Sequence, residues 1–355
     1  MRTIVFCITL AASVMLHSQI VYHNADQFPL LGKATTHTLT RYERLPDSLE
    51  HKLRPQLWSL GRNSAGLAIR FRSNSTTIAA HWESLFNNAM NHMTATGIRG
   101  LDLYTLIDGQ WRFAGSGRPQ RKESRAVIIS NMKPEMREYM LFLSLYDGVS
   151  SLEIGVDSLS IIEQPQVDLP RREPIIAYGT SILQGGCATR PGMAHTNILM
   201  RRFNREFINL GFSGNGRLDY EIAHVIAAVP RVPLFILDFV PNASVEEIRT
   251  KMEPFYRIIR AKHPNTPILF VEDPIFAHAL FDQSIDKEVR EKNAMLHTVF
   301  DALQAQGEKD IYLLSSKDMI GMDGEATVDG IHFTDLGFVR YADQLTPVIQ
   351  LLTGF

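Results

Sequence analysis

Hydrophobic positions along this chain follow two rhythms, and the rhythm changes near residue 170. Before that point, short stretches alternate apolar and polar residues. Leu67, Ile69 and Phe71 alternate with polar neighbours up to Ser73-Asn74-Ser75, and Leu101, Leu103 and Thr105 do the same ahead of Asp108-Gly109. Residues 139–146 read as a strand closed by Asp147-Gly148, and Leu152, Ile154 and Val156 alternate within 151–162. A period of two puts one face of a strand on a core, and Asp-Gly or Asn/Ser clusters supply the turns. From about residue 25 to residue 165 this predicts an all-β antiparallel sandwich or jelly roll. Pro165 to Pro174, with three prolines, Arg171 and Arg172, reads as a linker.

Beyond the linker, short apolar runs at 174–178, 206–210, 233–240, 268–272 and 311–314 alternate with helical spacing at 195–203, 217–229, 245–262, 285–306 and 334–352. Ser244 and Glu247 form a capping-box pair at the start of the third helix. Strands alternating with helices imply an α/β domain, flavodoxin-like, with a five-stranded parallel sheet covered on both faces. The expected organisation is a leader at 1–18, the sandwich at 19–168 and the α/β domain at 169–355.

Composition narrows the function classes. With 355 residues, 45% hydrophobic and 21% charged, the chain is globular and long enough for two cores. A formal net charge of -2 gives no basic footprint for nucleic acid, and no polybasic cluster offers a hold on an anionic membrane. Arg2, the apolar run from Ile4 to Leu16, then His17 and Ser18 follow the order of a secretory signal, too short to span a bilayer comfortably, with cleavage expected near Ser18; an uncleaved anchor or a buried N-terminal strand is the alternative. A secreted or periplasmic location follows from it. Cys7 falls inside that leader, so the mature chain would keep only Cys187 and no internal disulfide. A lone cysteine is more often a small buried hydrophobe than a nucleophile.

The candidate chemistry clusters after strands. Ser181 follows the strand at 174–178 and the turn residue Gly179, at the sheet edge where open α/β folds bind ligands. A serine needs a base. Val328-Asp329-Gly330-Ile331-His332, between the last strand and the last helix, supplies an acid three residues before a histidine. Asp329 can orient one side of the imidazole and leave the other nitrogen to accept the serine proton. Gly214, in the turn after the second strand, can present a backbone N–H to an oxyanion, although glycines are common in such turns. Asn242, after the third strand, carries an amide NH₂ of the same use, and with Ser244 as the better helix cap it is left free. Asn242-Ala243-Ser244 is also a glycosylation acceptor pattern, as is Asn74-Ser75-Thr76, and a glycan on Asn242 would end that role.

The order Ser181, Gly214, Asn242, Asp329-x-x-His332, each after a strand, resembles the SGNH (GDSL-like) hydrolases. The resemblance implies Ser181 as nucleophile, His332 as base and Asp329 as its orienting acid. It implies an oxyanion hole from the Ser181 and Gly214 amides and the Asn242 side chain. Gly100-Leu101-Asp102-Leu103-Tyr104 resembles the Gly-x-Asp-Leu-Tyr hallmark of the domain preceding one branch of that family, so the likeness spans nearly the whole mature chain. Two motifs depart from the usual form: Gly179-Thr180-Ser181 replaces Gly-Asp-Ser, and Val240-Pro241-Asn242-Ala243 replaces Gly-x-Asn-Asp. Neither change removes a catalytic atom. Leu183 stands where a nucleophile elbow needs its second glycine, which argues against the α/β-hydrolase fold.

Other residues have weaker claims. Gln184, Arg190 and His195 follow the nucleophile and are expected to shape the substrate pocket; His81, Trp82, His92 and Asp102 lie where the first domain could reach over the site. Glu272 and Asp273 are adjacent carboxylates, which usually point apart and make poor glycosidase pairs. No His-Glu-x-x-His or paired Cys-x-x-Cys occurs, so a zinc hydrolase has no support, and no metal or organic cofactor is expected. The resulting expectation is a secreted serine esterase removing small, acetyl-like groups from small-molecule or glycan esters, acylated carbohydrates by analogy. The rival is a glycan-binding protein with an idle hydrolase half, working through exposed Trp58, Trp82 or Trp111; a flavodoxin-like nucleotide binder stands third. Oligomeric state has no signature in the sequence.

Overall fold

The computed structural model describes residues 19–166 and 173–355, so the expected leader and most of the linker lie outside the described residues. The alternating runs of the first half become antiparallel strands in two sheets. One has the order Ile20–Asn24, Val149–Asp157, Ile78–Ser84, Glu123–Ile129. The other runs Ile162–Glu163, Ala68–Ser73, Arg137–Phe142, Leu101–Ile107, Gln110–Gly117, with Leu30–Leu31 also paired to Ala68–Ser73. Ile69, Phe71, Ile78, Trp82, Leu103, Leu141 and Ile154 fill the space between them.

The second sheet is buried on both faces, which simple alternation does not foresee. Ala68, Tyr104, Met140 and Phe142 on its other face join one apolar cluster with Ile182, Leu183, Ile198 and Leu199 of the α/β half. Arg70 occupies a position that alternation assigns to solvent, yet it is 1% exposed. It donates to Glu138 at 2.9 Å and lies 4.6 Å from the centre of the Trp111 ring. The same packing overturns the expectation of exposed tryptophans: Trp58, Trp82 and Trp111 are 8%, 1% and 8% exposed, all taken into cores.

Residues 33–63 contain only the short helices Asp47–Leu49 and Pro55–Gly61. They nonetheless send Leu45, Leu49, Leu53, Leu57 and Trp58 against Ile222, Ile226 and Met252 of the α/β half. Arg44, fully buried, donates to the carbonyls of Leu60, Asn63, Asn209 and Gly211.

The α/β half has the expected parallel sheet, in the order Phe207–Gly211, Ile175–Gly179, Phe235–Asp238, Ile268–Val271, Ile311–Leu314. All but the last of these strands are buried at every position, as parallel strands between helical layers must be. The helices His195–Phe203, Tyr220–Ala228, Val245–Lys262, Gln283–Ala305 and Asp335–Thr353 cover the two faces, and the Ser244–Glu247 capping box is formed. Because the first strand of this sheet lies between the second and third, the connections that follow Ile175–Gly179 and its neighbour Phe235–Asp238 run in opposite directions and open a crevice at their carboxyl ends. Among the described residues no helix is long and apolar enough to cross a membrane.

Candidate active site

Ser181 opens a single helical turn, Ser181–Gln184, directly after the strand Ile175–Gly179. Thr180 caps that turn by accepting from the Ile182 amide at 3.3 Å. The chain leaves the turn through Gly185 at φ 104°, a backbone region that suits glycine. Asn209 braces the turn from the neighbouring strand, donating to the Leu183 carbonyl at 2.6 Å and to Thr196 at 2.9 Å. The nucleophile candidate is therefore fixed by backbone geometry and by a buried amide.

The loop before the last helix brings His332 to it. His332 Nε2 lies 3.0 Å from Ser181 Oγ, and Nδ1 lies 2.7 Å from Asp329 Oδ2. The carboxylate requires a proton on Nδ1, which leaves the Nε2 lone pair facing the serine hydroxyl. Asp329 also accepts from the amides of His332 at 2.8 Å and Ile331 at 3.1 Å. Partial burial works against its charge, but the bonds from the His332 ring and these amides outweigh it and hold the carboxyl at about 2.

Gly214 and Asn242 lie on the two loops that flank this strand. Gly214 has φ 65°, and a Cβ there would meet nothing within 4 Å, so its conformation, not crowding, calls for glycine. Asn242 accepts from the Gly216 amide through Oδ1 at 3.2 Å. That bond turns its NH₂ away from Gly216, and among the described residues no bond from Nδ2 is found. Gln184, expected in the substrate pocket, is instead fully buried. It accepts from the Ser213 amide at 2.9 Å and donates to the Leu145 carbonyl at 3.0 Å, so it ties the nucleophile turn to the Gly214 loop.

Arg190 also turns to protein. It donates to Asp102 at 2.5 Å and to the Tyr104 hydroxyl at 2.6 Å, and its guanidinium lies over the Phe113 ring. Asp102 accepts in addition from the Gly192 amide at 2.8 Å and from Ser116 at 2.8 Å. Burial pushes the Asp102 carboxyl up, and Arg190 opposes it. The Asp-Leu-Tyr hallmark is thus a clamp between the β half and the loop after the nucleophile. His195, the third pocket candidate, is core: burial lowers its imidazole to about 3, and its ring packs on Phe338 and Tyr341. His81 is held between Glu123 and Glu153, and Trp82 donates to the Arg99 carbonyl inside the sandwich. Glu272 pairs with His297 and Ser316 and, among the described residues, shares no partner with Asp273.

Two residues of the first half do reach the centre. His92 packs its ring 5.6 Å from that of His332. Tyr146, which carried no signal beyond its place before Asp147-Gly148, donates to the Ser181 carbonyl at 3.1 Å. Cys187 is buried close by, with its thiol pushed up to about 12 by desolvation and the Asp329 charge, so it stays protonated and is a poor nucleophile.

Beneath the crevice, Asp238 ends its strand wholly buried. Burial raises its carboxyl to about 8; the Tyr341 hydroxyl, donating at 2.8 Å, pulls it back only in part, and Asp273 adds to the rise. Burial likewise lifts Asp273 to about 7. Both hold protons in the folded chain well above about pH 4, where an unfolded Asp ionises. The folded state therefore binds more protons, and stability falls as pH rises from about 4 to about 8. Asp238→Asn should relieve this. Its gain in melting temperature is expected to be larger at about pH 8.5 than at about pH 4.5, by on the order of 2–4 °C. A difference that does not change with pH would contradict the assignment.

Known proteins resemble both halves of the chain. A model of the GDSL-like lipase/acylhydrolase family matches residues 172–350, and a model of the N-terminus of SGNH-hydrolase-type esterases matches residues 20–162. A putative GDSL-like lipase from Bacteroides ovatus superposes with a TM-score of 0.90 at 38% identity, over 94% of this chain and 98% of the other. The salicylyl-acyltransferase SsfX3 of a tetracycline biosynthetic pathway shares the fold at TM-score 0.75 and 16% identity, over 95% and 99% of the two chains. A family two carbohydrate esterase from Clostridium thermocellum, seen with cellohexaose, does so at 0.60 and 12%, over 95% and 99%. No curated protein matches the chain.

Proposed function

Because this chain belongs to the GDSL-like lipase/acylhydrolase family and is a serine ester hydrolase, we propose that it removes short, acetyl-like acyl groups from sugar-linked esters. The observation that carries the reading is the hydrogen-bonded line from Asp329 through His332 to Ser181, at 2.7 and 3.0 Å. In this reading Ser181 Oγ attacks the ester carbonyl while His332 Nε2 takes its proton. The bond to the alcohol then breaks, and His332 returns the proton to the leaving oxygen. Water, deprotonated by the same nitrogen, hydrolyses the acyl-serine and frees the acid. The amides of Ser181 and Gly214 and the Asn242 NH₂ receive the oxyanion. Asp329 holds the imidazole and stabilises it when charged. Secretion through the N-terminal segment belongs to the same proposal, and sequencing the mature N-terminus checks it.

The sugar assignment draws on the carbohydrate esterase that shares both halves of the fold. The rival binding role loses its surface, since the tryptophans it needed are buried. A series of p-nitrophenyl esters tests acyl length: kcat/KM is expected to fall at least about tenfold between acetate and octanoate. A flat or rising profile rejects the short-acyl reading, and release of acetate from acetylated xylo- or cello-oligosaccharides tests the alcohol side. Asn242→Ala should lower kcat by about 10²–10³ with KM nearly unchanged. An effect confined to KM would remove Asn242 from the oxyanion hole.

A further inference from the structure

His92 from the β half, Cys187 from the loop after the nucleophile, and His332 converge beside Ser181. Each offers one ligand atom, and the three atoms lie within 4.8 Å of one another. The Nδ1 of His92 sits 2.9 Å from Asn91 Oδ1, and that of His332 sits 2.7 Å from Asp329 Oδ2. Both acceptors place the proton on Nδ1 and leave a lone pair on each Nε2; that of His332 faces the Ser181 hydroxyl at 3.0 Å, a contact the cation would displace. We propose that His92, Cys187 and His332 form a binding site for a thiophilic divalent cation such as Zn²⁺, and that its occupancy reversibly switches the hydrolase off.

Two imidazoles and a thiolate are a donor set suited to zinc. A carboxylate behind a ligating histidine is the usual outer-shell support, and Asp329 already stands there. Ligand atoms around a tetrahedral zinc are about 3.5 Å apart, so the trio must close by roughly an ångström; His92 is half-buried, beside exposed Asn91. On binding, the Cys187 S–H bond breaks, its proton goes to solvent, and a sulfur–metal bond forms without change of oxidation state. The cation takes the His332 lone pair that would otherwise accept the serine proton, and catalysis stops. Metal here is an inhibitor, not part of the hydrolytic mechanism.

The site can be read without turnover. Titrating the full chain with Co²⁺ should give a thiolate-to-cobalt charge-transfer band saturating at one ion per chain. The band should vanish in Cys187→Ala, weaken at least about tenfold in affinity in His92→Ala, and persist in Ser181→Ala. Zn²⁺ should depress ester turnover of the native chain about tenfold or more, a chelator should restore it, and both His92→Ala and Cys187→Ala should escape it. No band, or affinity unchanged in His92→Ala, overturns the proposal. The switch rests on the acyl-hydrolase reading, whereas the titration needs no substrate: a chain that binds Co²⁺ but hydrolyses no ester would keep the cation site and lose both the switch and the hydrolytic mechanism.

Discussion

Replacing Ser181 with alanine is expected to lower ester turnover by about 10⁴-fold or more, to the residue that oxyanion donors and binding supply alone. The substitution removes one oxygen, whose contact with His332 Nε2 is 3.0 Å long. The turn around it is held by other groups: Thr180 caps it, Asn209 donates to Leu183, and Tyr146 donates to the Ser181 carbonyl. The melting temperature should therefore stay within about 2 °C of the native chain. His332→Ala should cost a similar factor, and the double variant should be scarcely worse than either single one, because the two residues act as a unit. Progress curves with p-nitrophenyl acetate, beside thermal melts, read both quantities. Loss of activity together with loss of fold would not support the assignment; turnover retained in a folded Ser181→Ala chain would refute it.

Asp329→Asn carries the second large effect, about 10³–10⁴-fold in kcat with KM little changed. Asn keeps an oxygen that can accept from the Ile331 and His332 amides, so the loop has reason to stay in place. Its NH₂, however, can turn to Nδ1 and drive the imidazole proton onto Nε2, where it blocks transfer from Ser181. The native carboxyl, held at about 2, remains ionised throughout ordinary assay conditions. Protonation of Asp329 is thus not the source of any fall in rate between about pH 5 and 7. A variant with a normal rate would mean that the imidazole is oriented by something else.

Much of this site is legible in the sequence because parallel α/β sheets collect chemistry at one edge. Ser181, Gly214, Asn242 and the Asp329–His332 pair each follow a strand, and strand ends can be read from apolar runs. Helix limits came through where a cap marks them: 245–262 is both the expected and the observed helix behind Ser244. What stayed hidden lacks periodicity. Residues 33–63 form almost no regular structure, so nothing in their pattern announces that Leu45 and Trp58 pack on the other half. Arg70 sits at an outward position of its strand, and only the second packed face explains its burial. Nearness to Ser181 in the chain points Gln184 and Arg190 toward a pocket; in the fold their polar ends meet Ser213, Leu145 and Asp102, partners far away in the chain. Tyr146 reaches the centre by the same kind of long-range approach, which no spacing rule encodes, whereas His92, one of four residues of the first half expected near the site, does pack against His332.

The most direct measurement of the central claim is mass spectrometry of the chain quenched in acid during turnover of p-nitrophenyl acetate, with fragmentation to locate any acetyl group. An acetyl adduct on the Ser181 side chain, absent from Ser181→Ala and accumulating when water attack is slowed, is the expected result. An adduct on Cys187 or elsewhere, or none during active turnover under conditions that slow water attack, would contradict the account.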